Sequence, residues 1–248
     1  MDRLGIIDWG IGGVSISKLI KEQLGDVPVT YFSDTGVTPY GKMARTELAA
    51  RLNSVIQFLK EKGVTHLVIG CNAASTAIGD LSDHGIQIEG VIEPAVAMTA
   101  KLKPKKLGLI GGRRTVVSGV YRRAFTERSI ELSQRIAQPL SGMIESGDVS
   151  SDELRLAARR ILSPLRNCSH ILLACTHYPA ITELLSANVS SETKFIDPAT
   201  ALVERISKWK LRSVSQDVFF TTGDDASMKK AALAAFHVSL REVQKISL

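Results

Sequence analysis

One segment occurs twice in this chain of 248 residues. Residues 65–72 read Thr-His-Leu-Val-Ile-Gly-Cys-Asn, and residues 169–176 read Ser-His-Ile-Leu-Leu-Ala-Cys-Thr. Each copy has a hydroxyl residue, a histidine, three aliphatics, a small residue, a cysteine and a short polar residue. The apolar run is too short for an ordinary helix, is bounded by polar residues, and reads as a buried parallel strand. In open α/β sheets, ligands sit beyond the carboxyl ends of the strands. Cys71 and Cys175 therefore fall at the same address in two halves of the chain, where chemistry is normally located. The repeat predicts a site with two thiols facing across it.

The rest of the pattern alternates strands with helices. Strands are expected at 4–8, 29–33, 67–70, 89–91, 106–110, 171–174, 195–196 and 218–222. Helices are expected at 15–23, 46–62, 73–79, 117–128, 151–165, 201–208 and 228–236. This alternation means an α/β fold of parallel sheets with right-handed crossovers. No linker rich in Pro, Gly or Ser separates the halves. The chain is expected to cross between them near 95 and 205. Residues 1–95 plus 206–248 then form a first α/β domain with Asp8 and Cys71. Residues 96–205 form a second with Cys175 and His177.

The net charge of +6 comes from 31 basic and 25 acidic residues. Basic residues cluster at 101–106 and at Arg113–Arg114, but without the interleaved aromatics of a single-strand nucleic-acid site. Nucleic acid is not an expected partner. Three cysteines with no C-x-x-C do not make a disulfide framework, and free thiols fit a reducing compartment. The first residues carry no signal-peptide apolar region and no 18-residue apolar run occurs, so a cytoplasmic protein without membrane spans is expected.

Glycines after the first strand, Gly10-Ile11-Gly12-Gly13, lack the third glycine and the ribose-binding acid of a dinucleotide site. They read as a tight turn, or as a turn whose backbone N–H groups approach an anion, a carboxylate being as good a guest as a phosphate. A lone cysteine after a strand is more often a small buried hydrophobe than a nucleophile. The repeat raises both cysteines together, and His177 stands two residues past Cys175, near enough to exchange a proton with it or with a substrate. Cys168 lacks such a context and reads as structural, as do His66 and His170. Zinc on Cys71, Cys175 and His177 would want a fourth ligand and ligand spacings that are not evident, so no metal is expected. A Cys–His hydrolase would leave the second cysteine unexplained. Asp8 ends the first strand at the same mouth, with helix capping as the alternative. The loop with Pro39, Tyr40 and Gly41 borders that mouth too. Glu145, before Ser146-Gly147, reads as a loop acid.

At these residues the chain resembles the aspartate/glutamate racemase family. The matches run in order through Ile6-Ile7-Asp8 and the glycine turn, Tyr31-Phe32-Ser33-Asp34-Thr35, Pro39-Tyr40-Gly41, Cys71-Asn72 and Gly90-Val91-Ile92-Glu93-Pro94. They continue through Thr115, Ser118-Gly119-Val120-Tyr121, Cys175-Thr176-His177-Tyr178-Pro179 and Thr221-Thr222-Gly223-Asp224. The resemblance implies two similar α/β domains related by pseudo-symmetry, with the active site in the cleft between them. It implies a cofactor-independent amino-acid racemase that converts L-glutamate to D-glutamate for peptidoglycan. One thiolate removes the α-proton and the opposing thiol returns a proton to the other face. By this resemblance Asp8 supports Cys71, while Glu145 and His177 support Cys175. Asn72 and Thr176 hold the α-carboxylate or amine, and Tyr40 and Gly41 the side-chain carboxylate; Pro39 and Thr115 complete the substrate site. A small amino acid is the expected partner, and a homodimer is left open.

Three positions depart from the family's usual pattern. Trp9 stands where a serine is usual, Ala73 where a threonine is usual, and Gly112 where the turn usually has threonine. The first two remove hydroxyls expected to touch the ligand, and Trp9 adds bulk beside Asp8. The acid–base residues are intact while the substrate-binding ones are altered. This keeps two alternatives open: the same chemistry on a different amino acid, or a ligand-binding descendant with little turnover.

Overall fold

Aliphatic runs that alternate sides make the strands. In β1 (Leu4–Asp8) Ile6 packs into one buried cluster and Ile7 into another, because successive side chains point to opposite faces of a sheet. The computed structural model describes residues 2–25, 27–211 and 216–248. Within them β2 (Val29–Ser33), β3 (His66–Ile69), β4 (Gln87–Gly90), β9 (Val218–Thr221) and β10 (Gln244–Lys245) join β1 in a six-stranded sheet ordered β10-β9-β2-β1-β3-β4. A second sheet, ordered β6-β5-β7-β8, holds β5 (Leu107–Gly111), β6 (Leu132–Ile136), β7 (His170–Ala174) and β8 (Lys194–Ile196). Every pairing in both sheets is parallel.

The internal repeat is visible in this topology. β2-β1-β3-β4 in the first sheet and β6-β5-β7-β8 in the second have the same order. β3 and β7, the repeated segments, occupy equivalent places beside the first strand of each half. In each sheet the chain leaves that first strand to one side and returns on the other, which opens a crevice at the carboxyl ends. Asp8 ends β1, and Cys71 follows β3 by one residue past Gly70. Gly111 ends β5, and Cys175 follows β7 directly. The fold is therefore two parallel-sheet α/β units whose crevices each carry one thiol. Helix Pro198–Ile206 packs on helices Val14–Leu24 and Ile92–Lys101. One continuous buried cluster spans the two units, from Ile6 and Val68 to Leu109 and Leu173.

Several elements differ from the sequence expectation. The helix expected over 117–128 is two, Arg113–Val117 and Val120–Thr126, because Gly119 adopts φ +69° between them. The helix expected over 73–79 stops at Ser75 and resumes as a single 3₁₀ turn, Ile78–Asp80. Helices Ile92–Lys101 and Gln138–Glu145, and strand β6, have no sequence-based counterpart. β6 is a half-exposed edge whose Leu-Ser-Gln-Arg-Ile lacks a long apolar run. Glu145 is the last residue of helix Gln138–Glu145 rather than a loop acid, and its carboxylate is turned into the protein.

Candidate active site

The two crevices open into one cavity of about 390 Å³. Its wall contains both Cys71 and Cys175, together with Asp8, Trp9, Pro39, Tyr40, Gly41, Asn72, Ala73, Thr115, Thr176 and His177. Of the residues expected at the site only Glu145 is absent from the wall; it stands behind His177. The cavity also uses Lys42, Gly112, Gln138, Pro139, Ser141 and Gly142, which sequence reasoning missed. Four of these lie on helix Gln138–Glu145. Its signal was present as Leu140 and Ile144, an apolar pair at helical spacing, but Pro139 and Gly142 read as breakers.

A relay runs out from Cys175. His177 Nδ1 lies 3.6 Å from Cys175 Sγ, and His177 Nε2 lies 2.6 Å from Glu145 Oε2. Burial by itself pushes the His177 ring down, but hydrogen bonds to Cys175 and Glu145 outweigh it and carry the ring well above its ordinary value. These bonds favour the protonated form of the ring, whose Nδ1 stands beside Cys175. The glycine turn completes the relay. Ile11 N–H donates to Glu145 Oε2 at 2.9 Å, so the carboxylate that the turn receives is the protein's own. A side chain at Gly10 would put its Cβ 2.0 Å from that oxygen, and one at Gly12 would sit 2.1 Å from Thr176 Oγ1. The two glycines are there because groups from the other unit come this close.

Cys71 faces the cavity from the N-terminus of helix Asn72–Ser75. Its thiol is pushed well up, first by removal from water and then by the Asp8 charge, while the N–H groups of Ala74 and Ala73 act the other way. Asp8 is buried, and burial raises its carboxyl against the opposing pull of His177, Thr176 and the Trp9 N–H. Its oxygens accept from Trp9 N at 2.7 Å and from Thr176 Oγ1 at 2.8 Å. Asp8 therefore acts on Cys71 through its field, while its hydrogen bonds come from the adjacent Trp9 N–H and from Thr176 across the cleft. Cys168 is buried and away from the cavity.

Asn72 holds one paired and one unpaired buried polar group. Its Oδ1 accepts from Tyr121 Oη at 2.7 Å, while its Nδ2 is buried with no partner among the described residues. A buried donor without an acceptor costs about 1–3 kcal/mol, and a ligand carboxylate in the cavity would relieve that cost. The Tyr40 hydroxyl is donated to Asp34 Oδ2 at 2.7 Å and so is not free for a ligand. Asp34 also receives Arg51 Nε at 2.8 Å and Nη2 at 2.6 Å, which locks the loop from behind.

The cavity receives one thiol from each of two pseudo-symmetric units. Residues 4–206 match the model of the Asp/Glu/Hydantoin racemase family. The chain belongs to that family and is a racemase. It is 33% identical over 210 residues to the glutamate racemase of Synechococcus sp. (strain CC9605), covering 82% of this chain and 78% of the relative. It is 30% identical to that of Carboxydothermus hydrogenoformans, over 99% of this chain and 96% of the relative. Among solved structures it is similar to glutamate racemase isoform RacE1 from Bacillus anthracis, with TM-score 0.87 and 25% identity over 100% of this chain and 98% of that one.

Proposed function

We propose that the protein interconverts L- and D-glutamate without a cofactor, using Cys71 and Cys175 as opposed acid and base. The observation that carries this reading is that the two thiols line one cavity from equivalent strand ends. In one direction the thiolate of Cys175 takes the α-proton, leaving the electron pair on the α-carbon next to the carboxylate. The Cys71 thiol then delivers its proton to the opposite face. In the other direction the roles reverse. A single base would return the proton to the face it left. His177, held by Glu145, keeps proton exchange with Cys175 open. The Asn72 amide meets the α-carboxylate. The backbone at Tyr40–Gly41, with the exposed Lys42 at the rim, receives the side-chain carboxylate.

All of these residues come from one chain, so the site needs no second copy. No helix among the described residues is long and apolar enough to cross a membrane. We assign the activity to the cytoplasm, where thiols stay reduced and D-glutamate can be drawn into peptidoglycan. A second reading, the same chemistry on a less polar amino acid, is favoured by Trp9, Ala73 and Pro139 in the wall.

The test is racemisation of L-glutamate in D₂O by the purified protein, without added pyridoxal phosphate or metal. Optical activity should decay to zero, and deuterium should enter the α-position of the product. Cys71→Ala and Cys175→Ala should each abolish turnover in both directions while the fold is kept. Two-way racemisation by either single mutant would exclude the assignment.

A further inference from the structure

Arg114 crosses the cleft. It stands on helix Arg113–Val117, which begins just past β5 in the second unit and carries Thr115 into the cavity. Its guanidinium reaches the loop of the first unit, where Nε donates to the Tyr40 carbonyl at 3.1 Å and Nη2 to the Met43 carbonyl at 2.5 Å. Those two carbonyls bracket Gly41 and Lys42, both cavity residues. The segment is already a turn, closed by Lys42 N–H on the Pro39 carbonyl at 2.7 Å. From the other end, Gln138 Oε1 pins the start of the Arg114 helix by accepting from Arg113 N at 3.1 Å.

This contact has a stereochemical consequence. In a trans peptide the carbonyl and the following N–H point in opposite directions, and the chain has no cis peptide among its described residues. Holding the Tyr40 carbonyl therefore fixes the direction of the Gly41 N–H. A planar guanidinium with several donors in a rigid fork suits two carbonyls at once, where an ammonium would act as a point charge. Arg114 is half-buried, and its partners here are carbonyl oxygens rather than a carboxylate. Arg114 does not itself line the cavity, so it acts through the loop it holds.

We propose that Arg114 is a positioning residue that clasps the Tyr40–Met43 loop across the cleft and sets it to receive a side-chain carboxylate. The inference rests on the reading of this cavity as a glutamate racemase site and adds the group that orients its distal end. Arg114 touches neither the thiols nor the α-carbon, so its loss should act on binding and leave proton transfer in place.

The test compares wild type with Arg114→Ala and Arg114→Lys, in kinetics and in backbone hydrogen exchange across 39–44. Arg114→Ala should raise KM for glutamate about tenfold and leave kcat within about threefold, as for the loss of charge-assisted hydrogen bonds that act through the ground state. Inhibition by 2-aminobutyrate, which lacks the second carboxylate, should change less than about twofold. Exchange at 40–43 should accelerate in both variants, because lysine cannot hold both carbonyls, while KM for Arg114→Lys should be intermediate. Should Arg114→Ala fail to fold, Arg114→Lys carries the comparison. Unchanged exchange at 40–43 overturns the clasp, and so does a loss confined to kcat or one shared equally by 2-aminobutyrate. If the wild type racemises no glutamate, the functional reading fails separately, and the exchange measurement still decides the clasp.

Discussion

Tyr121 Oη donates to Asn72 Oδ1 at 2.7 Å, and this bond decides which end of the Asn72 amide is left for a ligand. Both side chains are buried, and they come from different units of the fold. With the oxygen held by Tyr121, the amide can offer only its N–H₂ group. The amide's unpartnered group is thus a donor, which suits a carboxylate, rather than an ambidextrous amide.

Tyr121→Phe should release that choice. Asn72 Oδ1 loses its buried partner, and a stranded buried acceptor costs about 1–3 kcal/mol. We expect the melting temperature to fall by several degrees, as for a loss of that size in a chain of this length. KM for glutamate should rise about tenfold, because the amide can then turn its oxygen toward the ligand carboxylate. Thermal denaturation and initial-rate kinetics check the two effects separately. A destabilised variant with unchanged KM would remove Asn72 from the substrate site.

Glu145→Gln tests the relay behind Cys175. Glutamine keeps an oxygen for Ile11 N–H and His177 but removes the negative charge. The hydrogen bond and charge of Glu145 help hold the His177 ring well above its ordinary 6.5. A raised folded-state value means that folding favours the protonated ring. The stability this contributes is fully present below about pH 6.5, the unfolded value, and is lost as pH rises through the folded value. The variant should therefore show a lower His177 titration midpoint by NMR. Its stability deficit should be largest near pH 6 and shrink at higher pH. An unchanged His177 midpoint would mean that Glu145 does not set the charge of this ring.

The loop behind Tyr40 should be brittle to loss of Arg51. Asp34 is fully buried and receives Arg51 twice, with Tyr40 Oη and Thr222 Oγ1 as its other donors. Arg51→Leu leaves that carboxylate without its cation, which typically costs about 3–5 kcal/mol. The replacement of both, Asp34→Asn with Arg51→Leu, should recover part of the loss. Urea denaturation of the two variants checks this, and a double variant no more stable than Arg51→Leu would show that the stranded carboxylate is not the source of the loss.

What was legible in the sequence was the part governed by local pattern. Both ends of β1 and β2 were readable because their apolar runs are bounded by polar residues and turns. Cys71 and Cys175 were readable because the repeat puts them at the same strand end. The assignment of Glu145 to the Cys175 side came through family resemblance, since nothing local to Ile144-Glu145-Ser146 says that the carboxylate turns inward. Asp8 was expected beside Cys71, yet its hydrogen bonds reach Thr176, because the two units close on each other at that point. Arg114 stood out in the sequence only as half of a basic pair with Arg113. Only the approach of two segments 71 residues apart in sequence gives Arg114 its partners.

The two altered positions, Trp9 and Ala73, should behave differently when the usual hydroxyls are restored. Both line the cavity, and from sequence both looked like lost ligand contacts. Trp9, however, has a structural duty. Its indole Nε1 donates to the Val37 carbonyl at 3.2 Å, and its ring packs against the cluster of Phe32, Tyr40 and Leu48. Trp9→Ser would free the loop that carries Tyr40 as well as add a hydroxyl. Ala73 also packs against that cluster, but it holds no loop by a side-chain hydrogen bond; it lines the cavity beside Cys71, and Ala73→Thr adds a donor there. One net hydrogen bond of about 1 kcal/mol corresponds to roughly fivefold. We therefore expect Ala73→Thr to raise kcat/KM for glutamate about fivefold, Trp9→Ser to lower it, and the double variant to fall between them. Initial rates for all three on L- and D-glutamate check the order. Each variant must show equal kcat/KM in the two directions, because the equilibrium constant of a racemisation is one. A Trp9→Ser variant that outperforms wild type on glutamate would mean that the indole blocks the substrate rather than supports the loop.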